Sequence, residues 1–467
     1  MTNILYKNFA AVVAGGEAPD VHTNADILVS EGAIVKIGSN LSDTLNADTK
    51  IHDCSGLTAY PGLVNTHHHF FQAFIRNQKN LDWTSLDVIE WLDLIYPLFA
   101  LIDEDCIYQS AIVSMADLIK HGCTTAFDHQ YNYSRHAGKL LVDRQFEAAE
   151  LLGMRFHAGR GCNTLPKSEG STIPDEMLET TEEFLADCER LADRYHQPEP
   201  LAMRRVVVAP CQPVNSYQET FVEAAGLARE KGLFLHTHLG EGENSLMQQR
   251  HGLRSYDWCE KIGFVGPDVW FAHCWQQKPE EIRRMAKTNT GVSHCPAPVF
   301  LVGAEVTDIS AMHAAGLRLG LGVDGQASND NSNLLESIRL AYMLQCLTAN
   351  QRQHKVPDPW EFFRMASEGG ADCLGRSDLG RLAKGMAADF FAIDLNRLEY
   401  VGADHDILSL PAKVGFSGVV DMTVIAGKIV WKNGELIGLD EAGLRADAQR
   451  VFESRIYNSK GMRALRH

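Results

Sequence analysis

The sequence predicts an α/β fold: a (β/α)8 barrel of the TIM type that carries a small β-sandwich domain formed from both chain ends. Three observations predict it. From Pro61 onward, apolar runs of strand length alternate with longer amphipathic stretches, as in a parallel sheet covered by helices. Residues 1–60 and 380–440 read instead as short strands separated by turns, and the two flanks look alike. The length of 467 residues suits one large barrel with a satellite domain.

The elements follow in order. Strands are expected at 4–13, 25–29 and 33–37, the last after the turn residues Glu31 and Gly32. Eight barrel strands are expected at 63–69, 124–129, 154–159, 205–210, 233–238, 269–274, 291–295 and 317–324. Helix-like segments lie between them, including 102–120, 175–195, 217–231 and 279–288, which makes a closed barrel the economical reading. A doubly wound open sheet would use the same elements. Strand texture returns at 389–394 and 422–430, before the turn Lys432-Asn433-Gly434. The expected division is therefore 1–60 with 380–440 as sandwich, 61–379 as barrel and 441–467 as a C-terminal helical extension.

Composition excludes several function classes. Apolar residues make up 45% and charged residues 22%, the balance of a folded globular chain. A net charge of -17 with no basic run argues against nucleic-acid binding, which needs clustered Lys and Arg. Small molecules and a second copy of the chain, as a homo-oligomeric dimer, are the expected partners. No run of roughly 20 apolar residues occurs, and residues 1–15 lack a secretory-leader pattern, so a cytoplasmic location off the membrane is expected. The 11 Cys never stand as Cys-x-x-Cys, which suggests neither a thiolate zinc site nor a disulfide framework. The 19 His differ, because several end apolar runs where a strand would deliver them to a pocket.

The most informative are His67 and His69 in Pro61-Gly62-Leu63-Val64-Asn65-Thr66-His67-His68-His69. On a strand, i and i+2 share a face, so these imidazoles can converge on one ion while His68 points away. Three more strand ends carry compatible groups: His236-Thr237-His238, Ala272-His273-Cys274 and Gly322-Val323-Asp324. Barrel sites form at the C-terminal ends of strands, so all would open on one mouth. Two or three imidazoles and a carboxylate, with a position left for water, make the ligand set of a catalytic zinc or iron site.

Through these motifs the sequence resembles the amidohydrolase superfamily, in its cytosine, guanine and related aminohydrolase branch. The likeness extends to His238-Leu239-Gly240-Glu241, to Gly322-Val323-Asp324-Gly325 and to the closing stretch Gly380-Arg381-Leu382-Ala383-Lys384-Gly385-Met386-Ala387-Ala388-Asp389. It implies that His67, His69, His238 and Asp324 ligate the metal, that Glu241 shuttles protons, and that His273 orients or deprotonates the bound water. His236 lies on the same strand face as His238; the family pattern assigns it a structural place. Two-metal relatives bridge their ions with a Lys or Glu ending the fourth strand, but residues 205–210 and the following Cys211-Gln212 supply neither. One divalent ion is expected, zinc ahead of iron.

Substrate contacts are expected from five residues. Gln72 stands where guanine-type members place an amide that donates and accepts at once. Gln212 occupies the region where some relatives hold a substrate-reading Arg or Gln. Trp91 is the expected pocket wall within the aromatic series Phe70, Phe71, Phe74, Trp83, Trp91, Tyr96 and Phe99. His129 and His294, at the ends of the second and seventh barrel strands, would face the pocket. The combined motifs, with Ser293-His294-Cys295-Pro296, look nearest to 8-oxoguanine and isoxanthopterin deaminases. Gln212-Pro213-Val214-Asn215 departs from the 8-oxoguanine pattern, which favours hydrolytic deamination of a pterin, with 8-oxoguanine, guanine or cytosine as alternatives. Triazine chlorohydrolases and alkylaminohydrolases share the same scaffold and metal set, and form the second enzymatic reading.

Overall fold

The computed structural model describes residues 3–44, 48–77 and 86–459. Trp83 and residues 460–467 of the expected C-terminal extension lie outside them.

The N-terminal flank forms β1 (Ile4–Val13), β2 (Val21–Ser30), β3 (Ala33–Gly38), β4 (Lys50–Asp53) and β5 (Leu57–Pro61). Glu31 and Gly32, both at positive φ (52° and 79°), make the tight turn between β2 and β3 whose twist suits a two-residue hairpin. Eight parallel strands then close a barrel: β6 (Leu63–Asn65), β7 (Cys123–Gln130), β8 (Arg155–Arg160), β9 (Arg204–Val208), β10 (Phe234–Leu239), β11 (Val269–His273), β12 (Gly291–His294) and β13 (Leu319–Leu321). The pair Leu321 and Asn65 completes the ring. All eight expected strands are present, and closure removes the open-sheet alternative.

Between the strands run the expected helices, shortened where a cap intervenes. The Asp103 side chain accepts from Cys106 N–H, so the helix begins at Glu104 and not at Ile102. A reciprocal capping box between Thr180 and Glu183 likewise starts the next expected helix at Thr181.

The chain returns to the terminal sheet through β14 (Phe390–Asp394), β15 (Met422–Ile425), β16 (Lys428–Lys432) and β17 (Glu435–Leu436). The single strand expected over 422–430 is two, because Ala426 and Gly427 (φ 48° and 72°) fold it into a hairpin. Strands from both chain ends join into one nine-stranded sheet through the pairing of β5 with β14. Helix Glu441–Phe452 follows and packs against helix Glu104–Lys120. No helix among the described residues is long and apolar enough to cross a membrane.

A buried ion pair rivets the sheet to the barrel. Arg155, on β8, reaches Asp389 through Nε (2.9 Å) and Nη2 (3.1 Å), while its Nη1 donates to the carbonyls of Leu201 and Ala202. The same carboxylate accepts from Ala426 N–H, which ties in the hairpin turn. Removing one partner leaves the other charge buried and uncompensated. Asp389→Ala is expected to cost about 3–5 kcal/mol, measured as a fall in the first urea-unfolding transition, whereas an exposed pair such as Lys167 with Asp93 should cost under about 1 kcal/mol when broken.

Candidate active site

β6 stops at Asn65, so His67 and His69 do not lie on the strand expected to carry them. Hydrogen bonds hold the departing segment instead. His67 O accepts from Asp324 N–H (3.1 Å) and His68 O from His129 N–H (2.8 Å), stitching it to both neighbours in the barrel. His68 Nδ1 accepts from His69 N–H (2.8 Å), which leaves Nε2 to donate to Ser332 Oγ (2.8 Å). Phe70 N–H and Gln145 Nε2 each donate to the buried Asp128 carboxyl at 2.6 Å, and burial pushes that group up to about 8.

Four donor atoms meet at the barrel mouth. His69 Nε2 lies 3.1 Å from His238 Nε2, and Asp324 Oδ1 lies 3.4 Å from both His67 Nε2 and His69 Nε2. A tetrahedral ion with bonds of about 2.0–2.1 Å has ligand-to-ligand edges of roughly 3.3–3.4 Å, so the spacing fits. His69 Nδ1 faces the carbonyl of His129 (2.9 Å), and His238 Nδ1 that of Cys211 (2.7 Å). A carbonyl only accepts, so each Nδ1 carries the proton and each Nε2 a lone pair. Burial lowers the pKa of both rings and keeps them neutral. His67 Nε2 is itself buried without a hydrogen-bond partner. This is a donor set for a cation.

Backbone conformation aims one of these donors and one further group. His273, the last residue of β11, and Asp324 both adopt left-handed φ (69° and 66°), a strained state for residues with a Cβ. His273 Nε2 comes to 3.4 Å from Glu241 Oε1. Burial, then the charges of Asp324 and Glu243, push the Glu241 carboxyl well above the usual range. Glu243 also holds the loop, accepting from the backbone N–H of Gly240 and Glu241 at 2.7 Å each.

Gln72, Trp91, Gln212 and Glu241 line one cleft with His69, His238 and Asp324. Val88, Leu92, Trp275, Pro298 and Val302 add apolar lining. Gln72 Oε1 accepts from Ala327 N–H (3.2 Å), which uses one of the two lone pairs of that oxygen and orients the amide. His129 and His294 are fully buried and are not among the lining residues. His129 donates from Nε2 to the carbonyl of Ala209 (2.7 Å) and stacks on His238 with centroids 4.8 Å apart. Burial, followed by the charge of His273, lowers His294 to about 3. Tyr131, Trp275 and Ser328 join the lining without having been singled out in the sequence. The first two each stand two residues beyond a strand-end His, and that spacing was the available signal.

A model of the Amidohydrolase family matches residues 58–430. The chain belongs to the amidohydrolase family. This amidohydrolase is 65% identical to hydroxydechloroatrazine ethylaminohydrolase of Pseudomonas sp. (strain ADP), across 100% of its own length and 98% of the relative's. It is 31% identical to isoxanthopterin deaminase from an unknown prokaryotic organism, over 96% of each chain. Its fold superposes with a TM-score of 0.90 on atrazine chlorohydrolase from Arthrobacter aurescens TC1 complexed with zinc, at 30% identity, covering 96% of this chain and 100% of that one. The amidohydrolase fold, the zinc-complexed neighbour and the converging donors together support a divalent metal. Elemental analysis of the purified protein should give about one divalent ion per chain, and His69→Ala should bind it more weakly, because one of four converging donors is gone.

Proposed function

We propose that this amidohydrolase cleaves the bond between a ring carbon and an exocyclic alkylamino nitrogen on a hydroxylated triazine, releasing the alkylamine. The observation that carries the reading is the 65% identity to hydroxydechloroatrazine ethylaminohydrolase over both full lengths. At 31% identity, isoxanthopterin deaminase is a distant relative, so the pterin expectation yields to the alkylaminohydrolase alternative. The lining of the cleft agrees. Gln72 and Gln212 offer polar contacts to ring nitrogens and oxygens, while Val88, Leu92 and Val302 offer an apolar wall to an alkyl group.

In this reading His67, His69, His238 and Asp324 would hold a divalent ion, which would supply a water activated toward hydroxide near neutral pH. His273 and Asp324 aim the nucleophile at the ring carbon. Addition there places an electron pair on the adjacent ring nitrogen. Glu241, kept in its acid form by burial and by two neighbouring carboxylates, gives that nitrogen a proton. The two protons of the added water then reach the same carboxyl in turn: one passes on to the exocyclic nitrogen, and the other restores the Glu241 acid. The C–N bond then breaks, and the amine leaves as the ring carbon keeps the oxygen.

The deciding assay compares amine release from hydroxydechloroatrazine with ammonia release from isoxanthopterin and 8-oxoguanine. We expect kcat/KM for the triazine to exceed both by at least about 100-fold; faster turnover of isoxanthopterin would overturn the reading. Glu241→Gln keeps the shape but cannot cycle a proton, so kcat should fall about 10²- to 10⁴-fold with metal content unchanged.

A further inference from the structure

His236 does not line the cleft, yet its ring contacts the site directly. Its Nε2 lies 3.0 Å from His67 Nδ1, and its Nδ1 lies 2.9 Å from the carbonyl of Trp270, its register partner on β11. Its ring is fully buried among His67, His129, Phe127 and Trp270, with no ion pair to a carboxylate among the described residues.

The chemistry of these contacts has one consistent solution. The nitrogen of an imidazole can donate or accept, so the contact between His67 and His236 by itself leaves the tautomer of His67 open. His69 and His238 have no such freedom, since each Nδ1 meets a carbonyl. For His67 the ambiguity ends one residue further on. The Trp270 carbonyl can only accept, so His236 Nδ1 carries its proton. The Nε2 of neutral His236 then has a lone pair, which accepts from His67 Nδ1–H. That leaves the lone pair of His67 on Nε2, turned toward Asp324. Trp270 anchors both ends of this relay, because its indole Nε1–H also donates to the carbonyl of Thr66, the residue before His67 (3.1 Å).

We infer that His236 is a positioning residue for the metal centre: it relays the backbone acceptor of Trp270 to His67 and so commits His67 to the tautomer that presents Nε2 to the ion. The inference rests on reading His67 as a ligand. Groups that orient a ligating imidazole through its second nitrogen typically change metal affinity about 10- to 100-fold when removed.

The test uses the full-length zinc-loaded protein and three variants, with zinc affinity read by competition against a chelator and geometry by the visible spectrum after cobalt substitution. His236→Met fills the space without hydrogen bonds and should weaken zinc binding about 10- to 100-fold and alter the cobalt spectrum. His236→Gln, whose amide can accept from His67 and donate to Trp270, should restore most of that loss. Unchanged affinity and spectrum in His236→Met would overturn the inference, as would equal loss in both variants, which would mean packing alone. Should His236→Met fail to fold, His236→Asn replaces it: its short amide reaches Trp270 but not His67, so parental affinity in that variant would also overturn the proposal. His67→Ala separates the two levels, because full zinc retention there would instead refute the ligand reading.

Discussion

Neutral imidazoles whose Nε2 lone pairs face one another at 3.1 Å, with a carboxylate oxygen at 3.4 Å, repel unless a cation stands among them. Most of the local architecture serves to hold that arrangement. The backbone carbonyls of His129 and Cys211 accept hydrogen bonds from Nδ1–H of His69 and His238, and the left-handed φ of Asp324 turns its carboxylate inward. The barrel makes this affordable, since each donor arrives on a separate parallel strand or on a loop pinned to two of them.

Around this centre, burial acts in opposite senses on two carboxyl groups. Asp324 is buried, which alone would raise its pKa, but His273, His69 and His238 around it lower it below the ordinary value. Glu241 is buried beside two carboxylates and is pushed well above it. Environments that drive two acids apart in this way separate an anionic ligand from a proton donor. The Glu241 loop keeps its place because Glu243 accepts its backbone N–H groups, so a residue with no contact to the ion helps define the acid.

In the proposed reading the apolar residues that line the cleft, and not the metal donors, would meet the alkyl substituent. Val88 and Val302 belong to a small apolar cluster with Trp275, Val299 and Leu344, so the surface that would meet an alkyl substituent is itself backed by packed side chains. A wall of this kind adds little specificity per methylene, roughly 1–3 kcal/mol, which is consistent with one metal scaffold serving relatives named for different leaving groups.

The sequence alone determined the alternation of eight strands with helices, the two strand-rich flanks and the spacing of His67, His69, His238, Glu241, His273 and Asp324, because strand periodicity and strand-end position are local properties written in consecutive residues. Closure of the barrel, the hairpin at Ala426-Gly427 and the true end of β6 at Asn65 were decided by the tertiary structure, since each depends on a partner distant in sequence or on a non-glycine residue at positive φ. The same reason governs the remaining imidazoles. Whether His129, His236 or His294 faces the cleft or the interior follows from which carbonyl or ring stands opposite. The carbonyls of Ala209 and Trp270 are supplied by neighbouring strands, which no spacing within the histidines' own segments can reveal.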